Sequence, residues 1–168
     1  MKPLFMFAVT LFIPVAALAQ PVTAPPAQVT FYGTPTAAIA SGVVIPADRA
    51  FVWTSGTTPS VAKADAPAGS RERYGDTRTQ AASILKTLAA QLQVQGLSMK
   101  DVVYLRAYLV PDSTKDNRMD QAGWSAAYGE VFGTAANPTK PARSSVGVSQ
   151  LVNADFLIEI EAFAVFPK

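Results

Sequence analysis

The sequence predicts an α+β fold in which two helices lie on one face of a β-sheet, and two observations support this. A strand followed by a helix and another strand occurs twice between residues 50 and 151. Crossover connections of this kind are right-handed, so both helices fall on the same face of the sheet. The last strand, residues 155–166, is apolar on both of its sides. We therefore expect the sheet face opposite the helices to be covered as well.

The strands are identified by short apolar or alternating runs that end at glycine or proline. In the run at residues 50–55, AFVWTS, alternate side chains point to opposite faces, and Gly56 ends it. The run at residues 102–110, VVYLRAYLV, is long and largely apolar, and Pro111 closes it. Five strands are predicted. They are residues 29–32, residues 50–55, residues 102–110, a strand that begins at Arg143, and residues 155–166.

Two longer segments predict helices. Asp76 has the side chain of an N-cap, and the segment that follows it to Gln95 is rich in alanine and leucine without a helix breaker. The second helix covers about residues 119–132. Each helix has one apolar stripe, which is the face that packs on a sheet. The stripes are Ala81, Leu85, Leu88 and Leu92 in the first helix, and Trp124, Ala127, Tyr128, Val131 and Phe132 in the second.

Two helices cover only one sheet face, so the other face needs a different partner. Leu157, Phe163 and Val165 of the last strand point to that second face. Burial of each large apolar side chain contributes roughly 1.5–3 kcal/mol. We therefore predict a homo-oligomer of closed symmetry that packs sheet against sheet. On the same argument, Trp53 and Trp124 are core or interface residues.

The N-terminus has the features of a secretory signal. Lys2 precedes an uncharged apolar run that ends at Ala19, and the small residues before Gln20 suit a signal peptidase. The run is shorter than the ~20 residues of a membrane anchor. We predict a signal peptide at residues 1–19, a flexible Pro/Ala linker at 20–28 and a single domain at 29–168. The mature protein is then periplasmic or secreted, with no membrane attachment.

Composition excludes several kinds of chemistry. The chain has no cysteine and no histidine. Thiolate nucleophiles, disulfides, histidine general bases and most zinc sites are therefore excluded. The 14 basic residues nearly balance the 12 acidic ones, and no stretch concentrates lysine and arginine with aromatic residues, so no nucleic-acid partner is expected. The connection at residues 57–75 is longer than usual, which predicts a functional or a mobile loop.

Three charges in the last two strands are candidate site residues. Arg143 and Ser145 share one face of their strand, and Glu159 and Glu161 share one face of theirs. If the two strands form a hairpin with their apolar sides toward the core, the arginine and both glutamates meet on the other side. A buried interface ion pair is the alternative to a ligand site at this position.

Several segments together resemble the RidA family, also called YjgF, over roughly residues 43–166. The shared segments are TSG at 54–56, DTRTQ at 76–80, QGLSMKDVVYLRAYL at 95–109, AAYGEVF at 126–132, PARSSVGVSQL at 141–151 and IEIEAFAV at 158–165. The resemblance implies a chorismate-mutase-like fold with a mixed sheet, and a homotrimer with clefts between subunits. Active members of the family hydrolyse reactive 2-imino acids to 2-oxo acids and ammonia without a metal or cofactor.

The resemblance also implies roles for individual residues. Arg143 of PARS corresponds to the arginine that binds the substrate carboxylate, and Glu159 to the glutamate that positions or activates water. Ser55 and Ser145 match residues that line the cleft. The chain departs from the family at Ser125, where many relatives have asparagine, and in AIASGVV, residues 38–44, which lacks the cleft tyrosine of many relatives. These departures predict an altered substrate preference.

Three functions follow from these expectations. The first is a cofactor-free hydrolytic deaminase, whose partner is a small carboxylate-bearing imine or enamine. The second is a trimeric module that binds a small carboxylate in the same cleft without turning it over. The third is a ribonuclease, which the lack of histidine and of a basic groove disfavours.

Overall fold

A computed structural model describes residues 26–168 of the chain. The predicted signal peptide and residues 20–25 of the predicted linker lie outside the described residues. The order of the elements is β1 (Thr30–Tyr32), β2 (Gly42–Val44), β3 (Phe51–Trp53), α1 (Thr77–Val94), β4 (Val102–Leu109), α2 (Gln121–Val131), β5 (Ala142–Gly147) and β6 (Ile158–Val165). Short 3₁₀ turns cover Arg71–Arg73, Met99–Asp101 and Ser113–Lys115.

The main sheet is mixed and has four strands in the order β3-β6-β4-β5. β6 pairs antiparallel with both β3 and β4, whereas β4 and β5 are parallel and are joined through α2. β1 and β2 form a separate two-stranded antiparallel sheet. The prediction of an α+β fold with a mixed sheet and two helices on one face is confirmed.

The hairpin that we considered for the last two strands is wrong. β5 is an edge strand and β6 is an inner strand, and β4 lies between them. β5 runs parallel to β4 with Leu105 opposite Arg143, and β6 runs antiparallel to β4 on its other side. The connection after Gly147 therefore crosses the end of β4 instead of turning back as a hairpin.

α1 begins after the predicted cap Asp76, and α2 begins at Gln121, two residues after the predicted start near residue 119. The Asp76 carboxylate accepts a hydrogen bond from the Thr79 backbone N–H at 2.9 Å, and Asp120 caps α2 in the same way through Gly123. The core lies between the two helices and one face of the main sheet. Its fully buried side chains include Ile84, Leu85, Leu88, Leu92, Leu105, Ala107, Leu109, Trp124, Ile158 and Ile160.

The connection at residues 57–75 is fastened to the rest of the fold. Arg71 Nη1 contacts the Asp112 carboxylate at 2.7 Å, and the Asp112 side chain is 1% exposed. Arg73 donates to the carbonyl oxygens of Ala64 and Ala66, both at 2.9 Å, which closes the loop on itself. An ion pair to a buried carboxylate and these internal bonds fasten the loop to the fold.

The sheet face opposite the helices is only partly covered within one protomer. Val165 is buried beside the β1–β2 sheet, and Leu157 is also buried. The prediction that a second subunit is needed to bury these two side chains is therefore wrong. Phe51 and Trp53 are 57% and 60% exposed, and Phe51 stacks on Phe163 with ring centroids 4.7 Å apart. Phe51, Trp53 and Phe163 form an aromatic surface on this face. Trp124 is in the core, whereas Trp53 belongs to the aromatic surface.

Candidate functional site

Arg143 is held by the aromatic side chains of α2. Because it lies opposite the buried Leu105, its side chain points to the helix side of the sheet. The guanidinium carbon is 4.7 Å from the centroid of the Tyr128 ring and 5.1 Å from that of Trp124. Its Nη2 donates a hydrogen bond to the Ser125 hydroxyl at 3.3 Å. Stacking on rings fixes the plane of the guanidinium and leaves its other N–H groups free for a ligand.

The charge of Arg143 is not neutralised by an ion pair within the described residues of one protomer. The side chain is nevertheless partly buried. Burial lowers the pKa of the Arg143 guanidinium, and it raises the pKa of the Tyr128 hydroxyl to about 12. Arginine nevertheless stays protonated at physiological pH. A partly desolvated, uncompensated cation is a favourable place for an anion.

A cavity of about 320 Å³ lies beside Arg143. It is lined by Thr36, Ala37, Ala38, Ser125, Tyr128, Gly129, Phe132, Gly133, Lys140 and Arg143. The charged side chains in this lining, Lys140 and Arg143, are both cations. Lys140 Nζ donates to the carbonyl oxygens of Pro35 and Ala37, each at 3.0 Å, which holds the 36–38 segment as a wall of the cavity.

Glu159 lies on the opposite face of the sheet, beside a β-bulge. Thr54 pairs with Ala162 and Thr57 pairs with Ile160, so that Ser55 and Gly56 together face a single residue of β6. Bulges of this kind redirect side chains at functional sites. Gly56 lies directly against the Glu159 carboxylate, and a methyl group at this position would overlap its oxygen. Within the described residues the Glu159 carboxylate accepts no hydrogen bond and forms no ion pair.

Glu161 is already engaged by its neighbours. It accepts a hydrogen bond from the Tyr108 hydroxyl at 3.0 Å, and Arg106 Nη1 is 3.7 Å from its other oxygen. Its Oε2 is buried and accepts no hydrogen bond within the described residues, so the contact with Arg106 is an ion pair only. Glu159, which lacks such partners in the described residues, is the carboxylate left available for chemistry.

The candidate residues therefore form two separate groups, and the expectation that they meet on one face is wrong. Arg143 is opposite Leu105 of β4, whereas Glu159 is opposite Tyr108. These two β4 residues are three positions apart, so their side chains point to opposite faces of the sheet. Ser145, whose hydroxyl accepts from Gln121 at 3.2 Å, belongs to the Arg143 group, and Ser55 belongs to the Glu159 group.

Sequence reasoning missed three residues that shape these groups. Gly56 makes room for Glu159, and Lys140 fastens the cavity wall. Gln80, fully buried in DTRTQ, joins α1 to Asp155 and Leu157, just before β6, by two hydrogen bonds, and a third joins it to Gly75. A glutamine in an otherwise apolar helix stripe was the available signal for this last role, because a buried amide needs partners.

A second cavity of about 450 Å³ lies away from both groups, between residues 28–31 and the C-terminal tail. Arg49 lines it, but this side chain already donates to the carbonyl oxygens of Ala27 and Phe166. The arginine here ties the two ends of the described chain together.

Residues 26–168 contain neither a metal-site cluster nor a helix able to cross a membrane. No cluster of three or more His, Cys, Asp or Glu side chains with the arrangement of a metal site occurs in this part of the chain. None of its helices combines the length and the hydropathy that crossing a membrane requires.

Comparison with known proteins places the chain in a family. The sequence profile described as endoribonuclease L-PSP matches residues 36–166. A RutC family protein of Pyrococcus horikoshii is 40% identical over 90 residues, which are 54% of this chain and 63% of that protein. The matched segment thus spans less than two thirds of this relative.

Solved structures share the fold. A Rid family protein of Yersinia pestis superimposes with a TM-score of 0.61 at 24% identity, over 83% of this chain and 99% of that one. E. coli TdcF, solved with bound serine, gives a TM-score of 0.54 at 26% identity, over 82% and 99%. The profile match over most of the chain and these neighbours lead to one conclusion: the chain belongs to the endoribonuclease L-PSP family, which is the RidA/YjgF family.

Proposed function

We propose that the protein is a cofactor-free hydrolytic deaminase of small 2-imino acids, in which Arg143 binds the carboxylate and Glu159 acts on the attacking water. The reaction converts an imino acid and water into a 2-oxo acid and ammonia. A non-catalytic module that binds a small carboxylate at Arg143 is the second candidate, and it uses the same cavity.

The observation that carries the proposal is the uncompensated, ring-stacked guanidinium of Arg143 beside a cavity with two cationic lining residues. A guanidinium presents two parallel N–H donors, which match the two oxygens of a carboxylate. The related TdcF was solved with bound serine, itself a small molecule with a carboxylate. A carboxylate at Arg143 would supply the negative charge that the described residues of the protomer do not.

The chemistry requires a general base and correct placement of water. Water adds to C2 of the protonated imine, and the Glu159 carboxylate takes the proton that the water loses. Glu159 then returns that proton to the nitrogen of the resulting carbinolamine. The C–N bond breaks and ammonia leaves, while the carbinolamine hydroxyl gives its proton to solvent and becomes the C2 carbonyl of the 2-oxo acid. A protonated imine is already electrophilic, so positioning and modest base catalysis are sufficient.

The two groups act together only if two protomers combine. Arg143 and Glu159 occupy opposite faces of one sheet, so a ligand bound at Arg143 meets a glutamate from a neighbouring copy. The exposed Phe51 and Trp53 favour self-association on the Glu159 side of the sheet. We therefore propose a homotrimer with clefts between subunits, each with Arg143 from one protomer and Glu159 from the next.

The test is ammonia release from 2-iminobutanoate that an amino acid oxidase generates in the assay. The wild-type protein is expected to accelerate release, and Arg143→Ala to lose most of the acceleration. Arg78→Ala removes an exposed arginine from α1 and serves as the matched control. No acceleration by the wild-type protein, or full activity in Arg143→Ala, would contradict the proposal.

The outcome also separates the alternatives. Thermal stabilisation by a small carboxylate that disappears in Arg143→Ala, with no turnover of any imine, would identify the binding module. The description of the family includes endoribonuclease activity, so the purified protein should also be incubated with RNA. RNA cleavage that Glu159→Gln abolishes would favour the nuclease.

We also propose that the protein is exported. The support is the sequence of residues 1–19. N-terminal sequencing of protein from the periplasm or the medium is expected to begin at Gln20. An intact Met1 on the fully folded protein would contradict export by this signal.

A further inference from the structure

The cavity beside Arg143 is larger than the group that Arg143 binds. At about 320 Å³ it reaches the lower end of the 300–1,000 Å³ range in which drug-sized ligands bind. A carboxylate and the adjacent C2 atom occupy only the end next to the guanidinium. The remaining space continues along α2 toward Phe132 and Gly133.

Gly129 keeps that space open. It lies inside α2, where glycine destabilises a helix by roughly 1 kcal/mol relative to alanine. A Cβ atom built at Gly129 meets no other atom within 4 Å, so no close contact requires a glycine here. The opposite wall is also built from small side chains, those of Ala37 and Ala38. Small residues on both walls leave a gap between them.

Much of the surface that lines this space is hydrocarbon, and Thr36 adds a hydroxyl to the 36–38 wall. Ala37, Ala38 and Phe132 contribute hydrocarbon surface. The Lys140 ammonium donates to two backbone carbonyl oxygens, which commits two of its three N–H donors to holding the wall. The chemistry of this space therefore suits an uncharged hydrocarbon substituent.

We propose that this cavity is a specificity pocket for the C2 substituent, so that the site prefers 2-imino acids with a branched aliphatic or aromatic side chain over those with an ethyl group. The proposal rests on the proposed function, in which Arg143 binds the carboxylate. Gly129 is a specificity-determining residue in this account, since its missing side chain provides the room. The substituent lies between the 36–38 segment and α2.

Binding of unreactive 2-oxo acids tests the pocket without requiring turnover. The probes are 2-oxobutanoate, 4-methyl-2-oxopentanoate and phenylpyruvate, and calorimetry of the full chain gives each Kd. Each buried methylene strengthens binding about fourfold, so the wild-type protein is expected to bind the two bulky acids roughly tenfold more tightly. Equal affinities, or a preference for 2-oxobutanoate, would overturn the proposal.

Substitutions in α2 test whether Gly129 causes the preference for bulky 2-oxo acids. Gly129→Leu fills the gap and is expected to weaken binding of the bulky acids at least tenfold, with less than a twofold change for 2-oxobutanoate. Ala122→Leu adds the same side chain to an exposed position two turns away, outside the cavity, and is the matched control. Gly129→Ala is a second variant that keeps the test available if Gly129→Leu does not fold, because alanine has a higher helix propensity than glycine. Its small side chain is expected to reduce the preference for the bulky acids only partly. A preference unchanged in Gly129→Leu would refute the pocket.

The two proposals fail in different ways. If 2-oxobutanoate binds and Arg143→Ala abolishes its binding, the carboxylate site stands whatever the bulky acids do. If none of the acids binds, or if Arg143→Ala binds them all as tightly as the wild-type protein, the proposed function itself fails.

Discussion

Gln80 joins three segments of the fold through a buried amide, and Gln80→Leu removes all three bonds while keeping a similar volume. Its Nε2 donates to the carbonyl oxygens of Gly75 at 3.1 Å and Asp155 at 3.0 Å, and its Oε1 accepts from the Leu157 N–H at 2.7 Å. The Gln80 side chain has no exposed surface. The substitution therefore leaves backbone groups without partners, and does not simply exchange a protein bond for one to water.

The expected cost follows from how deeply each orphaned group is buried. The Leu157 N–H is fully buried and contributes about 1–3 kcal/mol of lost stability. Gly75 and Asp155 are half-buried, so water can partly replace the lost bond and each costs about 0.5–1 kcal/mol. The total, about 2–5 kcal/mol, is a large fraction of the 5–15 kcal/mol by which most domains are stable.

Urea denaturation at one fixed protein concentration measures this change. Gln80→Leu should lower the denaturation midpoint with little change in the m-value. Gln91→Leu, the same substitution at an exposed position of α1, should stay within about 0.5 kcal/mol of the wild-type protein. If Gln80→Leu matches that control, the assignment of Gln80 as a structural link is refuted.

Three other predictions follow from single contacts. Gly56→Ala should displace the Glu159 carboxylate and reduce imine turnover about tenfold or more, while carboxylate binding at Arg143 is unchanged; equal turnover would contradict the contact. Asp76→Ala should destabilise the protein by about 1 kcal/mol at pH 7. The hydrogen bond at the helix N-terminus lowers the pKa of Asp76. The stability difference between the wild-type protein and Asp76→Ala should therefore shrink as the pH falls through about 4 and below. A stability difference that does not change with pH would oppose the cap assignment. Trp53→Ser should shift the protein toward monomer in sedimentation velocity, whereas Val152→Ser, at another exposed position, should not; an unchanged assembly would exclude the aromatic surface as the interface.

The helices and the long strands were predictable from sequence because each has a local signature. Asp76 and Asp120 begin their helices as caps, and the apolar stripes of α1 and α2 are the buried faces. β1 and β2, with three residues each, are too short for periodicity to identify, and β2 was missed.

The arrangement of the site was less predictable than its residues. The alternation within β5 and β6 correctly gave which residues of each strand share a face. The alternation could not predict that β4 lies between β5 and β6, because strand pairing depends on contacts between distant parts of the chain. As a result, Arg143 and Glu159 were expected on one face, whereas β4 separates them and the register places them on two.

Mixing two inactive variants tests the central claim most directly, namely that each site takes Arg143 from one protomer and Glu159 from another. Arg143→Ala and Glu159→Gln are unfolded together and refolded as an equal mixture, and ammonia release from 2-iminobutanoate is measured. In randomly mixed trimers about one quarter of the clefts would contain both native side chains, so about a quarter of the wild-type activity should return. If both variants are inactive alone and their mixed oligomers remain inactive, a site shared between protomers is contradicted.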